Sequence, residues 1–418
     1  MKHHPFTTPI LLSCLLFLFW VTCTDPVQPP PPIVPLVCET LNTEICFDDT
    51  TECCCIENSS WNEDSTACEC DDLYELEGDS ICTLITTEHG EIFFEYDTLG
   101  LSGFTLNNRA RAVKIIDEDN YWIVGQFFID DSTYTYPGVS NYNAVHYLEE
   151  YIPVVIDRYA AEHDDMSIFS ENEIWFTDGC FINYYLNRDI ERVYECDYSD
   201  DIPWKFKHMW GDGISNVFFA GNNGSILKND GTNFTLMASH TNCNLWDIWG
   251  VVDEVTGEYI VWACGYIDST GEGVILKMVE NEWVVFNYQS DFRDFDYLRI
   301  SGRPSSVWTD SFNYVYVLTH EYLYKVNSNN PEDFTRIYIP APSSPRGKMR
   351  GRTYNDIYFV GSFGEIWHYN GQNIHRYTTS SDLWLENLDI KNDLLICIGT
   401  SMNTNQAIVV KGNLMNIQ

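Results

Sequence analysis

The stretch Trp210–Lys228, WGDGISNVFFAGNNGSILK, reads as a strand, a turn, a second strand, a tight Asn-Gly turn and a third strand. The pattern returns along most of the chain, and each copy can be anchored on the residue that ends its second strand. The anchors are Gly125, Asp178, Gly221, Gly265, Thr319, Gly361 and Gly399. Each follows a short aromatic or β-branched run such as Val217-Phe218-Phe219-Ala220 or Ile357-Tyr358-Phe359-Val360, the composition of a buried strand. The anchors lie about 40 to 55 residues apart, the length of a four-stranded blade.

The finer register repeats as well. Trp210 and Trp308 each precede their anchor by eleven residues, and Trp249 fits the same slot if Val252–Glu258 is a hairpin insertion. One position earlier stand Val113, Met166, Met209, Ile248, Val307, Met349 and Asn387, six of the seven apolar. An innermost strand packed on its neighbours needs that. Third strands follow the anchors, as in Ile226-Leu227-Lys228 and Glu365-Ile366-Trp367-His368. Asp230-Gly231, Asn370-Gly371 and Lys411-Gly412 suit tight hairpins into outer strands. A strand-only unit of this size cannot bury both its faces, whereas radial stacking can. The expected fold is all-β, a β-propeller over 88–418 with seven four-stranded blades. The first and last copies are the least regular, so six or eight remain open. Glu91–Asp97 is either an outer strand that closes the ring or a hairpin leading into blade 1.

The N-terminal part is of another kind. Residues 1–23 carry Lys2, His3 and His4 before an apolar run from Ile10 to Trp20, the pattern of an export signal. The run ends Trp20-Val21-Thr22-Cys23 and resembles a bacterial lipoprotein signal, which implies lipid attachment at Cys23. The alternative is plain secretion with cleavage near Thr22–Thr24. Residues 24–37 are proline-rich and should form an extended spacer of about 3 Å per residue. Residues 38–83 hold eight cysteines, an even and dense set that reads as a disulfide framework. Zinc is the rival reading, but no regular pair of CxxC knuckles is present. The segment Cys68-Glu-Cys70 to Gly78-Asp-Ser-Ile-Cys82 resembles the second half of an EGF-like module. That resemblance implies a Cys70–Cys82 pair. Further along, Cys243 and Cys264 lie on the first two strands of one blade and could bridge; Cys180 and Cys196 are a second candidate pair.

Chemistry is sparse. HExxH, GxSxG and a phosphate-binding glycine loop are all missing, so no catalytic residue, metal or cofactor is assigned. The formal net charge of −39 excludes nucleic acid as a partner, since its phosphates would be repelled. It also argues against docking on anionic lipid. Of only 23 Lys and Arg, eleven fall on or just before innermost strands: Arg109, Arg111, Lys114, Lys205, Lys207, Arg299, Arg303, Arg346, Lys348, Arg350 and Arg352. Two readings compete. One is a basic axial mouth for an anionic glycan or acidic peptide, with Arg346, Lys348, Arg350 and Arg352 as its best candidates. The other is pairing inside the ring. Thirteen before the anchors stand Ala112, Asp165, His208, Asp247, Ser306, Lys348 and Glu386, and their alternating charges favour the second. Trp122, Trp175, Trp262 and Trp367 should be core; Trp204, Trp246, Trp283 and Trp384 lie nearer strand ends, where they could stack on sugars or pack between blades.

As a whole the chain resembles exported bacterial lipoproteins that carry a propeller on a proline-rich stalk. The resemblance implies a lipid-anchored location in the cell envelope, at the outer membrane or cell surface, with secretion as the alternative. It implies a binding platform and not a reaction; the expectation is a monomeric, non-enzymatic protein that binds a protein or glycan and touches the membrane only through its anchor. A glycosidase or lyase working in the axial cleft is the competing expectation.

Overall fold

The computed structural model describes residues 87–414 except 101–107, 132–137, 157–162, 197–205, 254, 268, 290–299 and 341–346; before residue 87 it describes only short strands. The chain divides into two compact units, Met1–Thr83 and Leu84–Gln418. In the first, Thr43–Ile45 pairs with Cys53–Cys55, Ser59–Trp61 with Cys68–Cys70, and Tyr74–Glu77 is sheeted with Ile81–Leu84. Cys23 and the side chains of Cys70 and Cys82 lie outside the described residues.

The second unit is a β-propeller of seven four-stranded antiparallel sheets. In six blades the strands are consecutive in sequence, each pairing with the next. The seventh is different. Its first three strands are Leu383–Lys391, Leu394–Ser401 and Ala407–Asn413, and its outer strand is Phe94–Leu99 from the start of the unit. Ala407 stands opposite Leu99 and Gly412 opposite Phe94. Glu91–Asp97 therefore contributes to ring closure and not to a hairpin. Lys411-Gly412, expected in a hairpin turn, lies inside a strand instead. The outer partner comes from the other end of the chain, so no turn is needed. A side chain at Gly412 would meet Ile92 and the Phe94 ring.

The anchors land where the second strands end: Glu173–Asp178, Asn216–Gly221, Asp356–Val360. In blade 1 the strand runs on to Asp131. The Val252–Glu258 insertion is a hairpin joining Asn244–Val252 to Tyr259–Tyr266, with Asp253 Oδ1 accepting the Val255 and Thr256 amides. All seven residues of the expected inner register are buried, from Val113 to Asn387. Alternate faces of each sheet feed the clusters between neighbouring blades. Phe218, Ala220 and Ile226 of blade 3 pack on Leu245, Val261 and Trp283 of blade 4. Trp122, Trp175, Trp262 and Trp367 are core, as expected, and Trp283 joins them.

Lys411 strengthens the closure. Its ammonium sits 4.1 Å from the Tyr147 ring centre and within 5.6 Å of Tyr151, and its Nζ lies 3.3 Å from Asp97 Oδ2. One lysine thus ties blade 7, its borrowed outer strand and blade 1 together by charge and cation–π attraction.

Candidate functional site

The innermost strands begin at one end of the ring: Arg109, Asp165, Phe206, Asn244, Ser306, Met349 and Leu383. Side chains just before and after these starts converge on the axis. There the position thirteen before the anchor acts as a staple between blades. Asp165 Oδ2 accepts the Met209 amide at 3.1 Å, Asp247 Oδ2 the Val307 amide at 3.1 Å, and Ser306 Oγ the Met349 amide at 3.0 Å. Each bond joins one blade to the backbone of the next. A polar side chain is needed because an amide on the axial edge of a buried innermost strand has no further strand to bond to.

Asp247 is the hub of this ring. Arg350 clamps it with two parallel contacts of 2.9 and 3.0 Å, Lys348 Nζ lies 2.6 Å from Oδ1, and Ser306 Oγ–H donates to Oδ2. Burial alone would raise its pKa. Arg350 and then Lys348 reverse this and hold the carboxyl well below the usual carboxylate range. Lys348 donates three times, to Asp247, to the Trp246 carbonyl at 2.5 Å and to His208 Nδ1 at 3.1 Å. Burial and then Lys348 push the His208 pKa well below its ordinary value. The ring is neutral, and its Nδ1 accepts from Lys348, so the proton sits on Nε2. Asp165 is fully buried and its pKa is raised by desolvation, which the Lys348 charge only partly offsets. Arg111 Nη1 meets Glu386 Oε2 at 2.9 Å across the blade 7–blade 1 junction.

Above this network lies an open cleft of about 330 Å³. Every one of the seven blades gives it at least one residue: Arg111, Asp164, Lys207 and His208, Trp246 and Tyr266, Ser305, Lys348, and Trp384 with Glu386. Trp246 stacks on Tyr266, ring centres 5.5 Å apart. Lys207 has no hydrogen-bond or ion-pair partner among the described residues. Trp246 Nε1 and His208 Nε2 are likewise buried without an acceptor.

The candidates chosen from sequence fare unequally. Arg346 lies outside the described residues. Arg350 is 5% exposed, spent on Asp247 and packed over Trp249 at 4.4 Å. Arg352 points to the other end of the ring, paired with Asp356 and, at 3.2 Å, with Asp393. Of the three described, only Lys348 reaches the cleft, and it is saturated by acceptors. Of the two readings, pairing inside the ring accounts for Lys348, Arg350 and Arg352, and among the described cations that line the cleft Lys207 is the one without a partner. Strand polarity explains why the candidates separate. Four residues along a strand span about 13 Å, so Lys348 and Arg352 cannot share one mouth.

The cysteines also divide. Cys264 stands opposite Asp247, while Cys243 precedes the same innermost strand and packs in the cluster between blades 3 and 4. Cys264 belongs to the cluster between blades 4 and 5. The pair sits on opposite faces of one sheet and cannot bridge without backbone movement. Cys180 and Cys196 are brought together. The Cys196 amide donates to the Cys180 carbonyl at 3.0 Å, and burial, then a contact with the Cys180 thiol, raises the Cys196 pKa.

Two things at this end of the ring escaped the sequence reading: Lys207 as a cleft cation without a partner among the described residues, and the loops that follow the second strands of blades 6 and 7. Among the described residues no group of three or more His, Cys, Asp or Glu could hold a metal ion, and no helix is long and apolar enough to cross a membrane.

No protein-family model matches the chain, and no curated protein matches it either. Solved structures do. YCF48 bound to D1 peptide is 12% identical, with a TM-score of 0.53 over 76% of this chain and 96% of that one. YCF48 from Cyanidioschyzon merolae is 11% identical, with a TM-score of 0.52 over 77% of this chain and 99% of that one. The extracellular domain of BT4673 from B. thetaiotaomicron is 12% identical at a TM-score of 0.51, with 76% of this chain covering 40% of that one. At such identities the likeness is one of architecture, and the chain is a seven-bladed β-propeller.

Proposed function

We propose that the chain is a non-enzymatic, surface-anchored binding protein whose propeller recognises a protein or glycan ligand at the axial cleft. The observation that carries this reading is the cleft itself. All seven blades line one opening, and in a chain of net charge −39 that opening holds a lysine with no partner among the described residues. A carboxylate or sulfate brought to Lys207 would regain in the partly dry cleft what an exposed ion pair loses to solvent. The indoles of Trp246 and Trp384 offer flat apolar walls beside it.

The carboxylates argue against hydrolysis. Asp165 and Asp247 are fixed by neighbouring amides, and Glu386 is held by Arg111. Glycoside hydrolysis needs two carboxyl groups facing one bond, and no uncommitted pair lines the cleft among the described residues. Fold likeness to a peptide-bound propeller is compatible with a protein ligand, but fold alone assigns none. The remaining parts follow the same reading. The protein is exported, carries lipid on Cys23, and stands off the membrane on the 24–37 spacer. Next comes the EGF-like module of 38–83 with its Cys70–Cys82 bridge, and a Cys180–Cys196 bridge staples blade 2.

The test is a binding screen of the full-length chain against acidic and neutral glycans and acidic peptides, at low and physiological salt, beside a Lys207→Gln variant. Salt-sensitive binding that the variant loses supports the reading. Binding indifferent to Lys207, or none to any probe, overturns it.

A further inference from the structure

Blade 3 and blade 6 make the same turn with different residues. After Gly221, Asn223 (φ 52°) and Gly224 (φ 69°) occupy the left-handed region, and Ser225 N–H closes on the Asn222 carbonyl at 3.0 Å. After Gly361, Phe363 (φ 61°) and Gly364 (φ 64°) do the same, and Glu365 N–H faces the Ser362 carbonyl at 3.4 Å. Asn tolerates that backbone because its short amide bonds locally; a bulky aromatic does not, and is an outlier there. The ring gains little from burial in return, since Phe363 is 50% exposed. Strain kept without packing gain points to a role in contact with something else.

The neighbours of Phe363 identify its surface. Ser362 bridges Trp384, whose side chain lines the axial cleft. Two residues before Trp384, the Asp382 carbonyl accepts the Met402 amide at 2.8 Å, and Met402 is 45% exposed. The loops of blades 6 and 7 therefore flank one segment: they carry the exposed Phe363 and Met402 on either side of the strand start whose Trp384 lines the cleft holding Lys207. A phenyl ring and a thioether suit an apolar side chain better than a hydroxyl-covered sugar ring. A single unpartnered ammonium suits a single carboxylate.

We infer that the axial face binds a polypeptide segment, with an apolar side chain against Phe363, Trp384 and Met402 and a nearby carboxylate at Lys207. This rests on the binding reading above and narrows its ligand to one class. Phe363 is kept for the contact, at the expense of the turn.

The probe is an array of eight-residue peptides that place Asp, Glu or a free C-terminus one to four residues from Leu, Met or Phe. Matched Asn, Gln, amidated and Ala controls accompany it. The full-length chain is compared with Lys207→Gln and Phe363→Asn, and acidic glycans are run in parallel. The inference expects carboxylate-plus-apolar peptides to bind, with affinity falling about tenfold in either variant. Phe363→Asn, which restores the blade 3 residue, should leave Tm unchanged or higher. Peptides that bind through Lys207 alone, with Phe363→Asn silent, would overturn the apolar contact and leave the broader reading standing. Glycan binding without peptide binding would do the same. A lower Tm for Phe363→Asn would show that the ring serves the fold, and would also overturn it. No binding in any arm removes both readings.

Discussion

Lys348 Nζ and Asp247 Oδ1 meet at 2.6 Å on the propeller axis, although 101 residues and the whole of blade 5 separate them along the chain. Lys348 spans that gap because its long stem crosses the narrow centre of the ring. Asp247 is 1% exposed and Lys348 6% exposed, so neither charge has water to fall back on. The two stand or fall together.

Removing the anion should therefore do more harm than removing the cation. Asp247→Asn leaves Lys348 and Arg350 buried beside each other without a counter-charge, at a cost of about 3–5 kcal/mol. Lys348→Met leaves Asp247 still clamped by Arg350 and bonded to Ser306 and Val307. It should be clearly the milder change in urea unfolding. Equal losses would mean that Arg350 does not carry the pair.

The five propeller cysteines should separate chemically. Cys180 and Cys196 flank paired strands at their shared end, and the Cys196 amide donates to the Cys180 carbonyl at 3.0 Å. Cys243, Cys264 and Cys397 are buried thiols on faces that do not meet. For protein exported through an oxidising compartment, alkylation in denaturant followed by peptide mass mapping should label Cys243, Cys264 and Cys397 and leave Cys180 and Cys196 joined. Label on both Cys180 and Cys196 refutes the bridge. A Cys243–Cys264 linked peptide refutes the sheet register.

What the sequence made legible was whatever repeats. Seven anchors and one inner register located the blades because every blade must satisfy the same burial on both faces. The alternation of Asp165, His208, Asp247 and Lys348 foretold neutralisation for the same reason. What stayed hidden depends on a single position. Lys207 looks like the other axial cations until its place in the cleft, without a partner among the described residues, is seen. Lys348 and Arg352 look like one cluster until the strand carries them to opposite ends. Phe363 had a signal, since it sits two residues past its anchor where blade 3 has Asn223, but φ is what gives that difference meaning. The source of the outer strand of blade 7 is likewise a matter of pairing, not of pattern.

The last prediction concerns the segment that leads into the closing strand. Thr87 Oγ1 donates to the Asn355 carbonyl at 2.6 Å, Asn370 Nδ2 donates to the Thr87 carbonyl at 2.8 Å, and the Tyr377 hydroxyl donates to the His89 carbonyl. His89 Nδ1 lies 3.0 Å from Nδ1 of His368, which is fully buried and stacked on Tyr358. Around His368 stand Asp356, its Oδ1 3.1 Å from Nε2 in an ion-pair contact, then Arg352, His375, Tyr358 and Tyr377. Burial lowers the His368 pKa, Asp356 opposes this, and His89 adds to the lowering. Burial, then His89, also lowers that of His375. A histidine depressed in the folded state binds fewer protons than its unfolded form below its ordinary value of about 6.5. Stability is therefore complete above that pH and falls as pH drops through it, toward the folded value. Protection of the amides at 87–91, taken relative to their intrinsic exchange rate at each pH, should fall between pH 7 and pH 5, by at most about tenfold per pH unit for each proton taken up. His368→Gln, which keeps a polar group but cannot titrate, should flatten that dependence and leave the Asp247 network untouched. An equal acid response in the variant would place the titration elsewhere and break the link between the buried imidazole and the lead-in segment.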